Sequence, residues 1–320
     1  MATVINKRIV IIISILILLS LIAVWLIFRP RPFSVGLQVA SINYPMMHAI
    51  DGGFFERQGL KPTLQKFGSA NDALDALLSG NIFVDAAIPI QNIAAIENER
   101  PGTLGIAAVI LIDKEHPISY LVVPGSSSIK SATELNGKKI VVFPGSHSET
   151  ATKLSLQKLG VTNVTFIKRP PPDMPQALQT GEADAGIFYE PVASQAELQG
   201  WGKILEKGFW ETHLLPEIAL AAYTYNAAEA KKNPDIARRV IAAIHEAVLD
   251  ARQNPQKAKM LMRKTDYLNA SEDVINRLPN ARVELAEEVD PAVIKQTLEL
   301  YAANGIIPKT ADLSPLLKQQ

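Results

Sequence analysis

Residues 9–28 form an apolar run interrupted only by Ser14 and Ser20 and preceded by Lys7 and Arg8. At about 1.5 Å rise per residue, twenty helical residues span roughly 30 Å, the thickness of a bilayer's hydrocarbon core. A helix on a globular surface keeps one polar face, and this run has none. It therefore reads as a segment that enters a membrane, and the globular fold is left to the residues beyond Phe28. The run is longer than the roughly 7–15 residues of a signal-peptide core, and no small-x-small pattern follows it closely. A retained anchor is expected over a signal segment cut after a site such as Ala23. Trp25 near the outer end suits the interface. Lys7 and Arg8 nearly balance Arg29 and Arg31, so the positive-inside rule does not decide orientation. The short stretch 1–8 and the long polar remainder favour a cytoplasmic N-terminus and an outward-facing domain. Residues 29–32, Arg-Pro-Arg-Pro, read as a short stiff spacer.

Composition narrows the function of the remainder. With 32 basic and 32 acidic side chains, no basic excess advertises nucleic acid. The chain has no cysteine, which excludes disulfides, thiolate metal sites, a cysteine nucleophile and a lipidated N-terminal cysteine. His48, His116, His147, His213 and His245 are scattered without metal-ligand spacing, and no zinc-protease helix, nucleophile elbow or P-loop occurs. Neither metal nor cofactor is expected.

From Phe33 onward, short β-rich runs alternate with helical patterns, the signature of an α/β fold. Strands are expected at 33–39, 62–66, 83–88, 105–110 and 120–123, with helices at 45–58, 69–78 and from about 90 to 99 between them. A similar cycle begins again: a capping-box sequence at 131–134, a strand at 137–143, a helix at 148–159, a strand at 164–168, a helix at 174–180 and a strand at 185–189. Two such rounds suggest two related lobes. Beyond Ala227 the pattern is helical, over 235–254, 255–264, 271–278 and 291–304.

Four ordered motifs resemble the substrate-binding proteins of ABC importers for sulfonates, taurine, nitrate and thiamine-precursor pyrimidines. They are Ala49-Ile-Asp-Gly-Gly-Phe-Phe-Glu-Arg-Gln-Gly-Leu60; Leu77-Leu-Ser-Gly80 followed by Val84-Asp-Ala86; Glu134-Leu-Asn-Gly-Lys-Lys-Ile-Val-Val142 with Gly145-Ser146 after it; and Ala177-Leu-Gln-Thr-Gly-Glu-Ala-Asp-Ala185 leading into Phe188-Tyr-Glu-Pro191. The resemblance implies a two-lobed, hinged fold of the type II periplasmic binding proteins, following one N-terminal transmembrane helix. Lobe 1 would comprise 33–116 and 222–320, and lobe 2 would comprise 117–221, with 119–123 and 218–225 as hinge connections. It further implies a monomer on the outer, periplasmic or extracellular, face of the cytoplasmic membrane. There it would hand a small molecule to permease and ATPase subunits. A membrane-tethered sensing receptor needs the same cleft and stays open as an alternative. A thiamine-pyrimidine synthase-like enzyme is the third, and the lack of cysteine removes its iron motif.

Ligands of open α/β sheets bind beyond the carboxyl ends of the strands, near free helix N-termini. That rule selects Ser41, Asn43, Tyr44 and His48 after the first strand, Gly68 and Ser69 after the second, and Pro89 and Gln91 after the third. In lobe 2 it selects Gly145, Ser146, His147, Ser148 and Thr150, then Tyr189 and Glu190. Of these, Asn43, Tyr44, His48, Gly68, Ser69, Pro89, Gly145, Ser146, His147, Ser148, Thr150 and Glu190 are the expected ligand contacts. For several an ordinary structural role competes: an N-cap for Ser146 and Ser148, a turn for Asn43, a helix histidine for His48. Glu190, if it faced the cleft, would disfavour a bare anion; otherwise it would support a hinge or cap a helix.

Overall fold

In the computed structural model, residues 12–17, 20, 31–38, 40–144, 146–264 and 270–318 are described. Eleven strands among them form two mixed sheets. The first sheet contains β1 (Arg31–Gln38), β2 (Leu60–Phe67), β3 (Val84–Pro89), β4 (Leu104–Asp113), β10 (Glu217–Asn226) and β11 (Arg282–Leu285), in the order β11-β4-β10-β3-β1-β2. The second contains β5 (Tyr120–Pro124), β6 (Lys138–Val142), β7 (Val164–Lys168), β8 (Ala185–Phe188) and β9 (Gly202–Lys207), in the order β7-β6-β8-β5-β9.

The two cycles of the sequence become two copies of one pattern. β1 lies between β2 and β3, parallel to both, and β6 lies between β7 and β8, parallel to both. An antiparallel strand follows in each sheet, β10 beside β3 and β5 beside β8. The chain passes between sheets twice, through 114–119 and 208–216, so the stretches expected as hinges, 119–123 and 218–225, are largely sheet strand. The strands β9 and β10 and the four-residue strand β11 were not expected from the sequence.

Each sheet is sandwiched by helices. One core of the first sheet packs Tyr44–Asp51 and Pro234–Gln253 against Val35, Leu37 and Val84; the other packs Ala70–Leu78, Ile90–Glu99 and Pro291–Ala303 around Ile88 and Val109. Pro234–Gln253 buries Ala237, Val240, Ile244, Val248 and Ala251, a three-to-four spacing that places them on one stripe. β4 is buried along nearly its whole length, which explains its continuous apolar composition. The helix expected over 45–58 is split: Gly53 takes φ +76°, a left-handed conformation that glycine tolerates, and separates Tyr44–Asp51 from Phe54–Arg57.

Most of the expected membrane segment 9–28 lies outside the described residues. Its described part, 12–17 and 20, is helical and exposed. Among the described residues no helix is long and apolar enough to cross a membrane.

Candidate functional site

The carboxyl ends of β1, β3 and β8 converge on a cavity of about 240 Å³ between the two sheets. β1 delivers Ala40, Ser41 and Ile42; β3 delivers Ala87 and Pro89, with Gln91 in the first turn of the helix after it. β10 contributes Leu220 and Ala221, and the first chain crossing contributes His116, Pro117 and Ile118. The loop 279–282 closes one side, and Tyr189 and Glu190 come from the second sheet. This is the switch-point location for ligand binding in parallel α/β sheets. The wall is mainly apolar, with a few polar groups.

Arg282 is the permanent cation among these lining residues, and its donors are engaged. Nη1 donates to Asp113 Oδ2 at 2.8 Å and to Glu217 Oε1 at 2.5 Å, while Nη2 and Nε reach Glu284 Oε1 at 2.6 and 2.8 Å. Burial would lower the Arg282 pKa, but the carboxylates raise it above its ordinary value. Burial likewise raises Asp113, yet hydrogen bonds from Arg282 and His116 outweigh it and hold this carboxyl below the usual range. Three carboxylates around one guanidinium leave the cluster net negative, so it offers little to a bare anion.

Glu190 lines the cavity, and its carboxylate is engaged at a helix start. Its Oε2 accepts from the Ser194 amide at 3.0 Å and its Oε1 from the Ser194 hydroxyl at 2.8 Å, at the start of the helix Val192–Leu198. Burial raises its pKa, opposed by these bonds. What Glu190 gives the cavity edge is its backbone: Ser41 Oγ donates to the Glu190 carbonyl at 3.2 Å, a direct bond between the two sheets.

The other expected positions are dispersed. Pro89 lines the cavity with Glu190. Asn43 is buried beneath it and donates from Nδ2 to Gln38 O at 2.8 Å. Tyr44 lies in the core and accepts the Ala281 amide at 3.3 Å, bracing the 279–282 loop from behind. His48 is 1% exposed, and its Nε2 lies 2.5 Å from Asp250 Oδ2. Gly68 and Ser69 are exposed, and Ser69 caps the helix Ala70–Leu78 through the Asp72 amide at 3.2 Å. Gly145 and the side chains of Ser146 and His147 lie outside the described residues. Ser148 is buried near the Tyr189 hydroxyl, with no well-formed hydrogen bond to its Oγ among the described residues, and Thr150 is half-buried. Among those missed by the strand-end rule are His116, Pro117, Ile118, the stretch 279–282 and the apolar wall residues Ile42, Ala87, Ile110 and Leu220.

Behind the cavity the two crossings are tied together. Glu211 is fully buried; its Oε1 accepts the amides of Ile118 at 2.8 Å and Ser119 at 3.4 Å, and its Oε2 accepts from the Ser119 hydroxyl. Ser119 Oγ accepts the Trp210 amide at 2.9 Å, and Trp210 Nε1 donates to Thr152 Oγ1 at 3.0 Å. The Trp210 ring meets Tyr189 edge-on at 5.8 Å, and Tyr189 stacks on Phe143 at 4.2 Å. Burial raises the Glu211 pKa against these hydrogen bonds. Among the described residues no group of three or more histidine, aspartate or glutamate side chains is placed to hold a metal ion.

Known proteins place this architecture. A putative aliphatic sulfonates-binding protein of Escherichia coli (strain K12) is 26% identical over 293 residues, covering 89% of this chain and 88% of that protein. The structure of the alkanesulfonate-binding protein from Xanthomonas axonopodis pv. citri bound to MOPS matches with a TM-score of 0.68 at 20% identity, covering 90% of this chain and 98% of that one. The periplasmic nitrate-binding protein of Synechocystis PCC 6803 matches with a TM-score of 0.66 at 17% identity, covering 91% and 86%. These likenesses show the periplasmic binding protein fold. The NMT1/THI5-like family model matches residues 43–258, two thirds of the sequence, and the chain belongs to that family.

Proposed function

We propose that this protein is an extracytoplasmic solute-binding protein that captures a small organic molecule between two lobes and delivers it to an ABC importer. The single observation that carries this reading is the cavity at the carboxyl ends of β1, β3 and β8, walled by both sheets and bordered by the first chain crossing. The sulfonate- and nitrate-binding relatives support the same class of activity, and their names describe ligand binding rather than turnover. The lobes follow the sheets, and closure about 114–119 and 208–216 brings Tyr189 and Glu190 over the ligand. Residues 9–28 hold the protein to the outer face of the membrane.

The lining decides the ligand class. Apolar side chains from Ile42, Ala87, Pro89, Ile110, Ile118 and Leu220 favour a ligand with an apolar body. Ser41, Gln91 and Asn280 supply neutral polar groups for its head. From the second lobe, the buried Ser148 hydroxyl beside Tyr189 offers a further polar group as the lobes close.

A thermal-shift screen of the full-length protein in detergent tests this, with alkanesulfonates, aromatic acids, pyrimidines, nitrate and bicarbonate as probes. A true ligand at 100 times its dissociation constant adds about 2.7 kcal/mol of stability. An organic ligand giving that shift is the expected result; turnover of a probe, or no shift with the whole panel, contradicts it.

A further inference from the structure

We infer that His116 selects the solute, its ring Nε2 accepting a hydrogen bond from an N–H or O–H group of the ligand. This rests on the reading of the cavity as a solute site, and it adds a donor group to the apolar body proposed for the ligand.

The setting of His116 fixes what it can offer. The residue is half-buried on the first chain crossing and lines the 240 Å³ cavity. Its Nδ1 lies 2.9 Å from Asp113 Oδ1. The same oxygen accepts the amides of Glu115 at 2.9 Å and His116 at 2.8 Å, and Oδ2 accepts from Arg282 Nη1 at 2.8 Å. Donors on every side hold the Asp113 carboxyl ionised, in line with its lowered pKa. An ionised carboxylate only accepts, so Nδ1 carries the imidazole proton. In the neutral ring Nε2 is then a lone pair with no proton to give. Among the described residues Nε2 has no hydrogen-bond partner. Asp113 is not part of the cavity wall, so what His116 presents there is the free edge of its ring.

The other polar groups of the wall leave this choice to His116. Ser41 Oγ donates to the Glu190 carbonyl, Ser194 holds the Glu190 carboxylate, and three carboxylates share Arg282. Gln91 and Asn280 carry amides, which donate or accept by turning over, so they exclude neither kind of partner. His116 works in one direction. A sulfonate, carboxylate or ether oxygen set against Nε2 would bury two acceptors with no donor between them. The charge behind the ring agrees, since the cluster of Arg282 with Asp113, Glu217 and Glu284 is net negative and favours the positive end of an N–H or O–H bond. There is also space beside it. His116, Asn280, Ala281 and Arg282 stand in the wall of a second cavity of about 490 Å³ as well, so the ring lies between the two.

Calorimetric titration of the full-length protein in detergent at pH 8 tests this with two pairs of probes matched in shape. They are para-aminobenzenesulfonate against para-toluenesulfonate, and aminopyrimidine against methylpyrimidine. In each pair that binds, the amino member should bind about tenfold more tightly. His116→Asn keeps an N–H for Asp113 and removes the acceptor at the Nε2 position. It should bring the members of a pair to within about twofold, with the loss falling on the amino probe. Nitrogen spectra of histidine-labelled native protein give a readout that needs no variant. The ring of His116, assigned through its sequence neighbours, should show a proton on Nδ1 and none on Nε2. The Nε2 signal should move on binding the amino probe and far less on binding its methyl counterpart. Equal affinity within the pairs that bind, a preference that survives His116→Asn, or a proton on Nε2 in the unliganded protein overturns the inference. Binding of none of the four probes contradicts the solute-site reading itself and takes the inference with it.

Discussion

The first sheet supplies most of the cavity wall, whereas the second supplies Tyr189 and Glu190 at its edge. Their polar groups are handled in opposite ways. On the first sheet, charges meet one another at the rim, Arg282 against Asp113, Glu217 and Glu284. On the second, charge is turned inward: Glu190 caps a helix and Glu211 binds the crossings, both satisfied by amides and hydroxyls. The difference teaches that the first sheet shapes a largely neutral site, and that the second is a cover whose position depends on buried hydrogen bonds behind it.

The largest test of that contrast is Glu211→Ala. It strands the amides of Ile118 and Ser119 and the Ser119 hydroxyl in a buried crossing, at about 1–3 kcal/mol for each group left unpaired. Urea denaturation should show a loss of about 3 kcal/mol or more. A loss below about 1 kcal/mol would mean the crossings are not held by this carboxylate.

Asp85 gives the next effect, inside the first sheet. Burial pushes its pKa up to about 6 from an ordinary 3.8, opposed by the Ala87 amide and the Gln38 side chain. Because the folded form holds its proton more tightly, this stability is present below about pH 3.8 and is lost as pH rises through 6. The difference of roughly two pKa units corresponds to about 3 kcal/mol. Asp85→Asn should therefore stabilise the protein by up to about 3 kcal/mol at pH 8 and by little near pH 4. Denaturation at the two pH values measures it, and an equal effect at both contradicts the assignment.

Much of this contrast was hidden in the sequence. The repeated cycle of strand and helix was legible because each element is long enough to show its period, and Gly53, Gly80 and Gly181 mark its turns. The site was less legible. β11 has four residues, too few to display alternation against a helical background, and Arg282 gains its meaning from partners at Asp113 and Glu217, distant in sequence. Glu190 was visible as a strand-end residue, but its direction depends on Ser194 one turn later. His48 could not be distinguished from a ligand contact until Asp250, two hundred residues away, came to face it.

Smaller changes sharpen the comparison. Replacing Glu217 and Glu284 together by glutamine should free the Arg282 guanidinium and raise nitrate affinity by about tenfold, roughly 1.4 kcal/mol, in calorimetric titration. No gain would show that Arg282 already meets its ligand directly. Ser41→Ala removes the bond to the Glu190 carbonyl between the sheets, worth about 1 kcal/mol. It should lower unliganded stability by about that amount and weaken ligand binding as well, by about fivefold. Binding unchanged despite the lost stability would show that the bond plays no part in holding the ligand.

The central claim, a mainly apolar cleft for a small organic solute, is tested most directly by calorimetric titration of the full-length protein with alkanesulfonates of increasing chain length, alongside sulfate and nitrate. Each methylene buried should contribute about 0.8 kcal/mol, close to a fourfold gain in affinity, with a heat-capacity change that becomes more negative until the cavity is filled. Sulfate or nitrate binding as tightly as the longest sulfonate, or affinity indifferent to chain length, would contradict it.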